Sequence, residues 1–166
     1  MGAVRAVPSA DQLPLPPAIP AAAGQLLDQA HRGLDEAAGA TDVRQRYATA
    51  HLAALRAAAA VLAARTRPEG GRRRPRSAWA LLGQVAPELG EWATFFAAGA
   101  AKRAAAEAGL SRAVTEREAD DLVRDVGAFL AVVESCLATL STAPEPPRSP
   151  FTRPRSGSRS GPRPRR

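Results

Sequence analysis

Apolar residues recur at spacings of three and four through residues 21–142, which is the period of amphipathic helices. The clearest stripe belongs to the last segment, whose apolar face comprises Leu122, Val126, Phe129, Leu130, Val133, Leu137 and Leu140. The first segment, at about 21–38, has an apolar face of Leu26, Leu27, Ala30, Leu34 and Ala37. Few β-branched runs are long enough to build strands, so the pattern predicts an all-α protein.

Capping residues mark where two further helices begin. Asp42 followed by Gln45 resembles a capping box and starts a second helix at Thr41 or Asp42. The apolar face of this helix comprises Val43, Tyr47, Ala50, Ala54, Leu55, Ala58 and Leu62. Thr115 with Glu118 forms a capping box for the last helix. Both starts are therefore predicted from side chains that accept hydrogen bonds from the first backbone N–H groups.

Helix-breaking residues delimit a loop and a third helical region between these two helices. Residues 66–76, TRPEGGRRRPR, combine two Pro and two Gly with four Arg in the five positions 72–76, and they predict a loop. The next helix opens at Ser77 and meets Pro87, which either kinks it or starts a new segment. We expect the continuation to reach about Ala108 and to end at Gly109.

Four main helices joined by short links predict an antiparallel bundle of four to five helices over residues 21–142. Residues 1–20 are rich in proline and lack periodicity, so we expect a disordered lead-in. Residues 143–166 consist mainly of Pro, Ser, Gly and Arg. They cannot bury enough apolar surface to offset the entropy lost on ordering, so we expect a disordered basic tail.

The formal charge of +7 is unevenly distributed along the chain. Residues 1–145 hold 16 basic and 16 acidic side chains, whereas residues 146–166 hold seven Arg and no acid. A neutral folded domain with a basic tail would attract nucleic acid mainly through electrostatic, sequence-independent contacts. The high charge of the whole chain therefore says little about the bundle.

The amino-terminal residues lack the unbroken apolar core of a signal peptide. The longest charge-free runs of the helical region, residues 77–87 and 92–101, fall short of the ~20 residues that span a bilayer. We therefore expect a cytoplasmic protein without membrane contact. The single cysteine, Cys136, excludes an intramolecular disulfide, and its place near an apolar helix face predicts a buried, inert thiol.

Three stretches, taken in order, resemble a known family: RYATAHLAALRAAAAVLAART, RRRPRSAWALLGQVAPELGEWATFFAAGAAKRAAAEAG and READDLVRDVGAFLAVVESCL. On them the chain is similar to HEPN-domain proteins of the SAV-like actinobacterial group, over about residues 21–140. The resemblance implies an all-α bundle that is often dimeric. It also implies a metal-independent ribonuclease or a nucleotide- and RNA-binding module, in some cases beside a nucleotidyltransferase partner.

The resemblance further implies a candidate catalytic pair. Catalytic members of the family have an Arg, four to six residues and then a His, and Arg46 and His51 match that spacing. In such a pair His51 would act as acid and base on a ribose hydroxyl, and Arg46 would stabilise the scissile phosphate. Here Tyr47 replaces the polar residue that usually follows the Arg, and the pair lies in the second helix rather than near the last ones.

Helix geometry separates these two side chains. Five residues on a straight helix rotate by about 500°, which leaves Arg46 and His51 about 140° apart. His51 lies four residues from both Tyr47 and Leu55 on the apolar face, which indicates a histidine of the core or of a dimer interface. His31 is likewise interpreted as a packing residue rather than a ligand.

Other candidate chemistry is sparse. Two distant histidines and one cysteine make no credible metal site, and we expect no cofactor. The candidate phosphate contacts of the loop are Arg72, Arg73, Arg74 and Arg76, with a solubilising role as the alternative. Phe95 and Phe96 are adjacent on a helix and cannot both face the core. One of them is therefore expected to mark a dimer or partner surface.

Together these observations predict a cytosolic, non-catalytic HEPN-like bundle that binds a protein partner or a nucleotide or RNA, as a homodimer. The alternative is a metal-independent HEPN ribonuclease, or a toxin–antitoxin component, that uses Arg46 and His51. A purely structural dimer is the third class.

Overall fold

The computed structural model describes residues 19–66 and 77–142. These ranges form five helices and no strand: α1 (Ala21–Gly39), α2 (Val43–Arg65), α3 (Ala78–Val85), α4 (Gly90–Glu107) and α5 (Glu116–Thr142). A 3-10 turn at Pro87–Leu89 joins α3 to α4. The all-α helical bundle is therefore confirmed. Most of the expected lead-in, the arginine loop at 67–76 and the tail at 143–166 lie outside the described residues.

The helix starts follow the predicted capping residues. The Asp42 carboxylate accepts a hydrogen bond of 2.9 Å from the Gln45 backbone N–H. At the start of α5 the Glu118 N–H donates to the Thr115 hydroxyl at 3.3 Å, and the Thr115 N–H donates to the Glu118 carboxylate at 2.8 Å. Pro87 opens the 3-10 turn, so of the two alternatives at this proline the chain starts a new segment.

Helices α1 and α2 approach closely because small residues meet at their contact. Helix α1 buries Ala23, Ala30 and Ala37, at intervals of seven, together with Gly33. A Cβ atom built on Gly33 would lie 3.3 Å from the Cβ of Ala53 in α2. The predicted leucine face of α1 is only half-buried, at Leu26, Leu27 and Leu34. The contact is thus made by alanine and glycine, with leucines along its edges.

Helix α2 is the central helix and packs against all four others. Most of its buried residues are small, and they are Tyr47, Ala50, His51, Ala53, Ala54, Ala57, Ala58, Ala60 and Val61. Leu55 and Leu62 were predicted on the buried face, but they are half-buried because the alanines make the closest contacts. Within the described ranges, α2 is also the one helix long and apolar enough to cross a membrane, and half of that stretch is buried inside the bundle.

Aromatic rings fill the space between α3, α4 and α5. Phe96 lies at their centre, stacked on Trp79 and on Trp92 with ring centroids 5.1 Å and 5.9 Å away. The ring of Phe129 from α5 lies 5.0 Å from that of Phe96. Fully burying one phenylalanine side chain contributes about 1.5–3 kcal/mol, so this cluster is a major source of stability.

Helix α4 comes close to α2 at a glycine. A Cβ atom built on Gly99 would lie 3.1 Å from the Tyr47 hydroxyl oxygen and 3.3 Å from Cδ2 of His51. Both Tyr47 and His51 are buried, so a Cβ atom at Gly99 would press against side chains that are packed inside the bundle. The absence of a side chain at Gly99 therefore allows the two helices to reach their observed spacing.

We expect Gly99→Ala to lower the free energy of unfolding by about 1 kcal/mol, because overpacking outweighs the better helix propensity of alanine. Gly83→Ala is the matched control, since a Cβ atom there meets nothing within 4 Å. It should raise the free energy of unfolding by about 0.5–1 kcal/mol. Urea denaturation followed by tryptophan fluorescence measures both. Equal stabilisation by the two substitutions would contradict the close contact.

Candidate functional site

His51 is sealed inside the bundle. Its side chain is 1% exposed, and its Nε2 donates a hydrogen bond of 2.9 Å to the backbone carbonyl of Phe96. The rings of Trp79 and Phe96 meet the imidazole edge-on, with centroids 5.8 Å and 6.0 Å away. The prediction of a histidine on the apolar face is therefore correct, and the imidazole serves as a link between α2 and α4.

The surroundings of His51 favour its neutral form. Burial lowers its pKa below the ordinary value, and the Arg103 guanidinium lowers it further, while the hydrogen bond to the Phe96 carbonyl opposes the shift. Since Nε2 carries the proton that Phe96 accepts, Nδ1 is the unprotonated nitrogen. Nδ1 is buried without a hydrogen-bond partner. An imidazole held in this way has neither a charge nor an open path to a substrate.

Arg46 is turned toward another part of the bundle. Its Nε donates to the Ala40 carbonyl at 3.0 Å, and its guanidinium forms an ion pair with Asp120 of α5. The structure therefore places Arg46 at the link between α1 and α2, while His51 points to α4. The two residues that match the catalytic spacing are not brought together.

The other histidine and the cysteine differ in part from the sequence interpretation. His31 was interpreted as a packing residue, but its side chain is 45% exposed and its Nε2 lies 2.7 Å from Glu134 of α5. Cys136 is half-buried, and its sulfur accepts a hydrogen bond from Arg65 at 2.8 Å. Burial raises the pKa of this thiol, and Glu88 adds to the rise while Arg65 opposes it. The thiol form is therefore favoured, but the prediction that this cysteine is buried was wrong, because its side chain is only half-buried.

The predicted phosphate contacts lie outside the described residues, and these are Arg72, Arg73, Arg74 and Arg76. In the described part of the chain, no group of three or more His, Cys, Asp or Glu side chains could hold a metal ion. The remaining candidate is a surface feature.

A cleft between α4 and α5 surrounds an exposed aromatic ring. Of the adjacent pair, Phe96 is fully buried and Phe95 is 46% exposed, so the prediction that one of them faces outward is confirmed. The cleft has a volume of about 280 Å³. We call it the α4–α5 cleft, and its lining residues are Tyr47, Phe95, Lys102, Glu118, Asp121, Leu122 and Asp125.

Charged side chains give this cleft an acidic edge. Lys102 forms an ion pair with Glu118 at one end. The bond to Lys102, followed by the bonds from Thr115, lowers the pKa of Glu118 to about 2, so this carboxylate is ionised at physiological pH. Asp121 pairs with exposed arginines of its own helix, and Asp125 has no basic side chain within ion-pair distance among the described residues. The cleft therefore presents an apolar floor beside carboxylates.

The sequence indicated that one ring of the Phe95–Phe96 pair faces outward without specifying which, and the acidic neighbours of that ring were missed. Glu118, Asp121 and Asp125 recur at spacings of three and four along α5, which places them on one side of that helix. That periodicity was available from the sequence. The position of this acidic side next to Phe95 depends on how α4 packs against α5, which the sequence pattern does not specify.

One comparison with known proteins gave a match. A family model described as HEPN_SAV_6107-like HEPN matches residues 37–134, which is more than half of the chain. The matched range contains all of α2, α3 and α4, most of α5 and the whole α4–α5 cleft. No curated protein and no solved structure matches the chain.

The burial of His51 predicts a pH dependence of stability. The unfolded chain takes up a proton on this imidazole near the ordinary pKa of about 6.5, whereas the folded protein keeps it neutral to lower pH. The unfolded state then binds more protons. The free energy of unfolding should therefore fall as the pH drops below about 6.5, by up to about 1.4 kcal/mol per pH unit, until the folded-state pKa is passed.

Urea denaturation between about pH 7.5 and pH 5 measures this slope, with the pH range chosen around the ordinary histidine pKa. His51→Gln should flatten the slope, because its amide can still donate to the Phe96 carbonyl but cannot titrate. His31→Gln is the matched control, because it makes the same substitution at the half-exposed histidine, and its slope is compared with that of His51→Gln. A His51→Gln variant with the wild-type slope would show that His51 is not held neutral.

Proposed function

This chain belongs to the HEPN_SAV_6107-like HEPN family, and we propose that it is a non-catalytic helical module that binds another protein. The binding surface is the α4–α5 cleft. The observation that carries this proposal is the position of Phe95, an aromatic ring that is 46% exposed in a cleft lined mostly by charged side chains. Exposed aromatic rings beside charged groups are typical of protein-binding surfaces, where aromatic residues supply much of the binding energy.

The charge of the folded part favours a protein over a nucleic acid. The described residues contain ten basic and 13 acidic side chains, a formal charge of −3. Asp125, whose carboxylate has no ion pair among the described residues, disfavours a phosphate group in the cleft itself. Nucleotide or RNA binding, the second form of the binding hypothesis, would have to use the arginines at 72–76 and in the segment 146–166. Such binding would be electrostatic and would weaken steeply with salt.

The geometry of the Arg/His pair argues against the ribonuclease alternative. A catalytic pair must place an acid or base and a phosphate-binding cation around one scissile bond. His51 donates to Phe96 inside the core, and Arg46 is engaged by Ala40 and Asp120. Catalysis by these two residues, alone or as part of a toxin–antitoxin pair, would need both to leave their present partners.

The expectations about assembly and location belong to the same proposal. We propose a homodimer in the cytosol, because the family resemblance implies dimers and the charges within the apolar segments argued against a membrane span. Helix α2, which meets the length and composition of a span, has half of that stretch buried against other helices. A nucleotidyltransferase is one candidate protein partner that the resemblance implies.

Labelled RNA incubated with the full chain in excess chelator should remain intact. Any shift of the RNA on a native gel should disappear as salt is raised, because the contacts would come from arginines outside the described bundle. Arg46→Ala and His51→Ala should leave both results unchanged. Arg44→Ala is the control for loss of a neighbouring arginine. Cleavage that is lost in Arg46→Ala and His51→Ala but kept in Arg44→Ala would contradict the non-catalytic proposal.

Photo-crosslinking from the cleft tests which class of molecule it binds. We expect Phe95→p-benzoylphenylalanine, in the full chain and in the cells that produce it, to form a covalent adduct that protease removes and ribonuclease does not. Leu110→p-benzoylphenylalanine is the matched control, since Leu110 is 58% exposed but lies outside the cleft. Mass spectrometry identifies the adduct, and an adduct near twice 17.3 kDa would be a second copy.

An adduct that contains RNA, or equal adducts from positions 95 and 110, would contradict a protein-binding cleft.

A further inference from the structure

The α4–α5 cleft and the segment that follows α5 are complementary in charge. Residues 146–166 carry seven Arg and no acid, while the described residues carry a net charge of −3. The cleft contributes the carboxylate of Asp125, which has no ion pair among the described residues, and that of Asp121, which already pairs with Arg117 and Arg124 of its own helix. Glu91 lies one helical turn before Phe95 on α4 and is exposed, so it adds a third carboxylate beside the ring. An arginine-rich peptide is the ligand that such a surface attracts.

Apolar side chains are present both at the cleft and in the segment 146–166. Phe95 is exposed in the cleft, and Val132, which is 40% exposed, lies seven residues after Asp125 on the same side of α5. In the segment, Phe151 is the one aromatic residue outside the described ranges. It precedes Arg153 and Arg155 by two and four positions. One short stretch therefore combines an aromatic ring with two of the cations.

The length of chain after α5 allows this stretch to return to the cleft. Along α5, the 17 residues from Asp125 to Thr142 span about 26 Å at 1.5 Å per residue. The 11 residues from Thr142 to Arg153 can span up to about 36 Å at 3.3 Å per residue. A chain that runs back antiparallel to α5 can therefore place Arg153 beside Asp125 and Phe151 near Phe95.

We propose that the α4–α5 cleft binds the arginine-rich segment 146–166 of its own chain, with Phe151 against Phe95 and with Arg153 and Arg155 beside Asp121 and Asp125. The segment then competes with any protein partner for the cleft. The docking itself needs no foreign protein, and only this competition rests on the proposed function. Because the contacts are mainly between exposed charges, binding weakens as ionic strength rises.

Paramagnetic relaxation measured on the full chain tests the docking directly. A nitroxide is attached at Ser156→Cys in a chain that also carries Cys136→Ser. We expect the amide signals of Asp121 and Asp125 to broaden, while those of Asp28 on the exposed side of α1 remain sharp. At about 1 M salt, where the Debye length is about 3 Å, the broadening should be lost.

Charge reversal on each side of the contact supplies the specificity test. Arg153→Glu with Arg155→Glu should abolish the broadening, and because both positions lie outside the described bundle the helices are left intact. Asp121→Lys with Asp125→Lys should do the same. Asp28→Lys with Asp35→Lys makes the same change of charge on α1 and should leave the broadening in place.

Four outcomes would overturn the proposal. Broadening confined to residues next to Thr142 would show that the segment does not return to the cleft. Broadening that survives both charge reversals would exclude the proposed contacts. In a mixture, isotopically enriched chains without nitroxide are observed beside nitroxide-labelled chains. Broadening of the signals of the enriched chains would show that the segment docks on a second copy. A crosslink from position 95 to a foreign protein, with no broadening, would leave the proposed function standing and refute self-docking alone.

Discussion

The structure depends on the contact between α4 and the central helix α2 at Gly99. Gly99 has no side chain, so Tyr47 and His51 of α2 can lie close to the α4 backbone, and His51 donates a hydrogen bond to the Phe96 carbonyl. That bond fixes the position of Phe96, whose ring then stacks on Trp79 and Trp92. The aromatic cluster that joins α3, α4 and α5 is thus set by one contact that involves a glycine and a polar side chain.

The contact between α2 and α4 at Gly99 also determines which side chains are buried and which are exposed. A histidine that forms a buried link between helices has to remain neutral, because a charge there would be uncompensated. The rotation of α4 that buries Phe96 turns Phe95 outward, next to the acidic side of α5. The arrangement that removes His51 from chemistry therefore also creates the exposed ring. One orientation of α4 therefore accounts for both the packing around Phe96 in the core and the exposure of Phe95 in the cleft.

Much of the fold could be predicted from the sequence because its local signals are strong. The capping residues Asp42 and Thr115 and the apolar stripe of α5 each specify structure within a few turns. The buried side of α2 was harder to predict, because alanine occurs on nearly every face of this helix. Hydropathy therefore hardly distinguishes one face from another. Leu55 and Leu62 were placed on the apolar face by their spacing, but they are half-buried, whereas the smaller Ala53, Ala57 and Ala60 are fully buried. Close packing between helices is a tertiary property that periodicity does not contain.

The candidate site was predictable only in part, for a related reason. The angular separation of Arg46 and His51 follows from helix geometry alone. The outward ring at the Phe95–Phe96 pair also follows from adjacency, but the sequence could not say which of the two it would be. The acidic side of the α4–α5 cleft comes from another helix and needed the packing of α4 against α5.

The central claim is that His51 belongs to the core as a neutral hydrogen-bond donor. Long-range nitrogen–proton NMR correlations of the imidazole, recorded from neutral to mildly acidic pH, test it most directly. The account predicts a protonated Nε2, an unprotonated Nδ1 and no change in either nitrogen as the pH passes the ordinary histidine value of about 6.5. Titration of His51 at that value, or a proton on Nδ1, would show an accessible imidazole and would contradict the account.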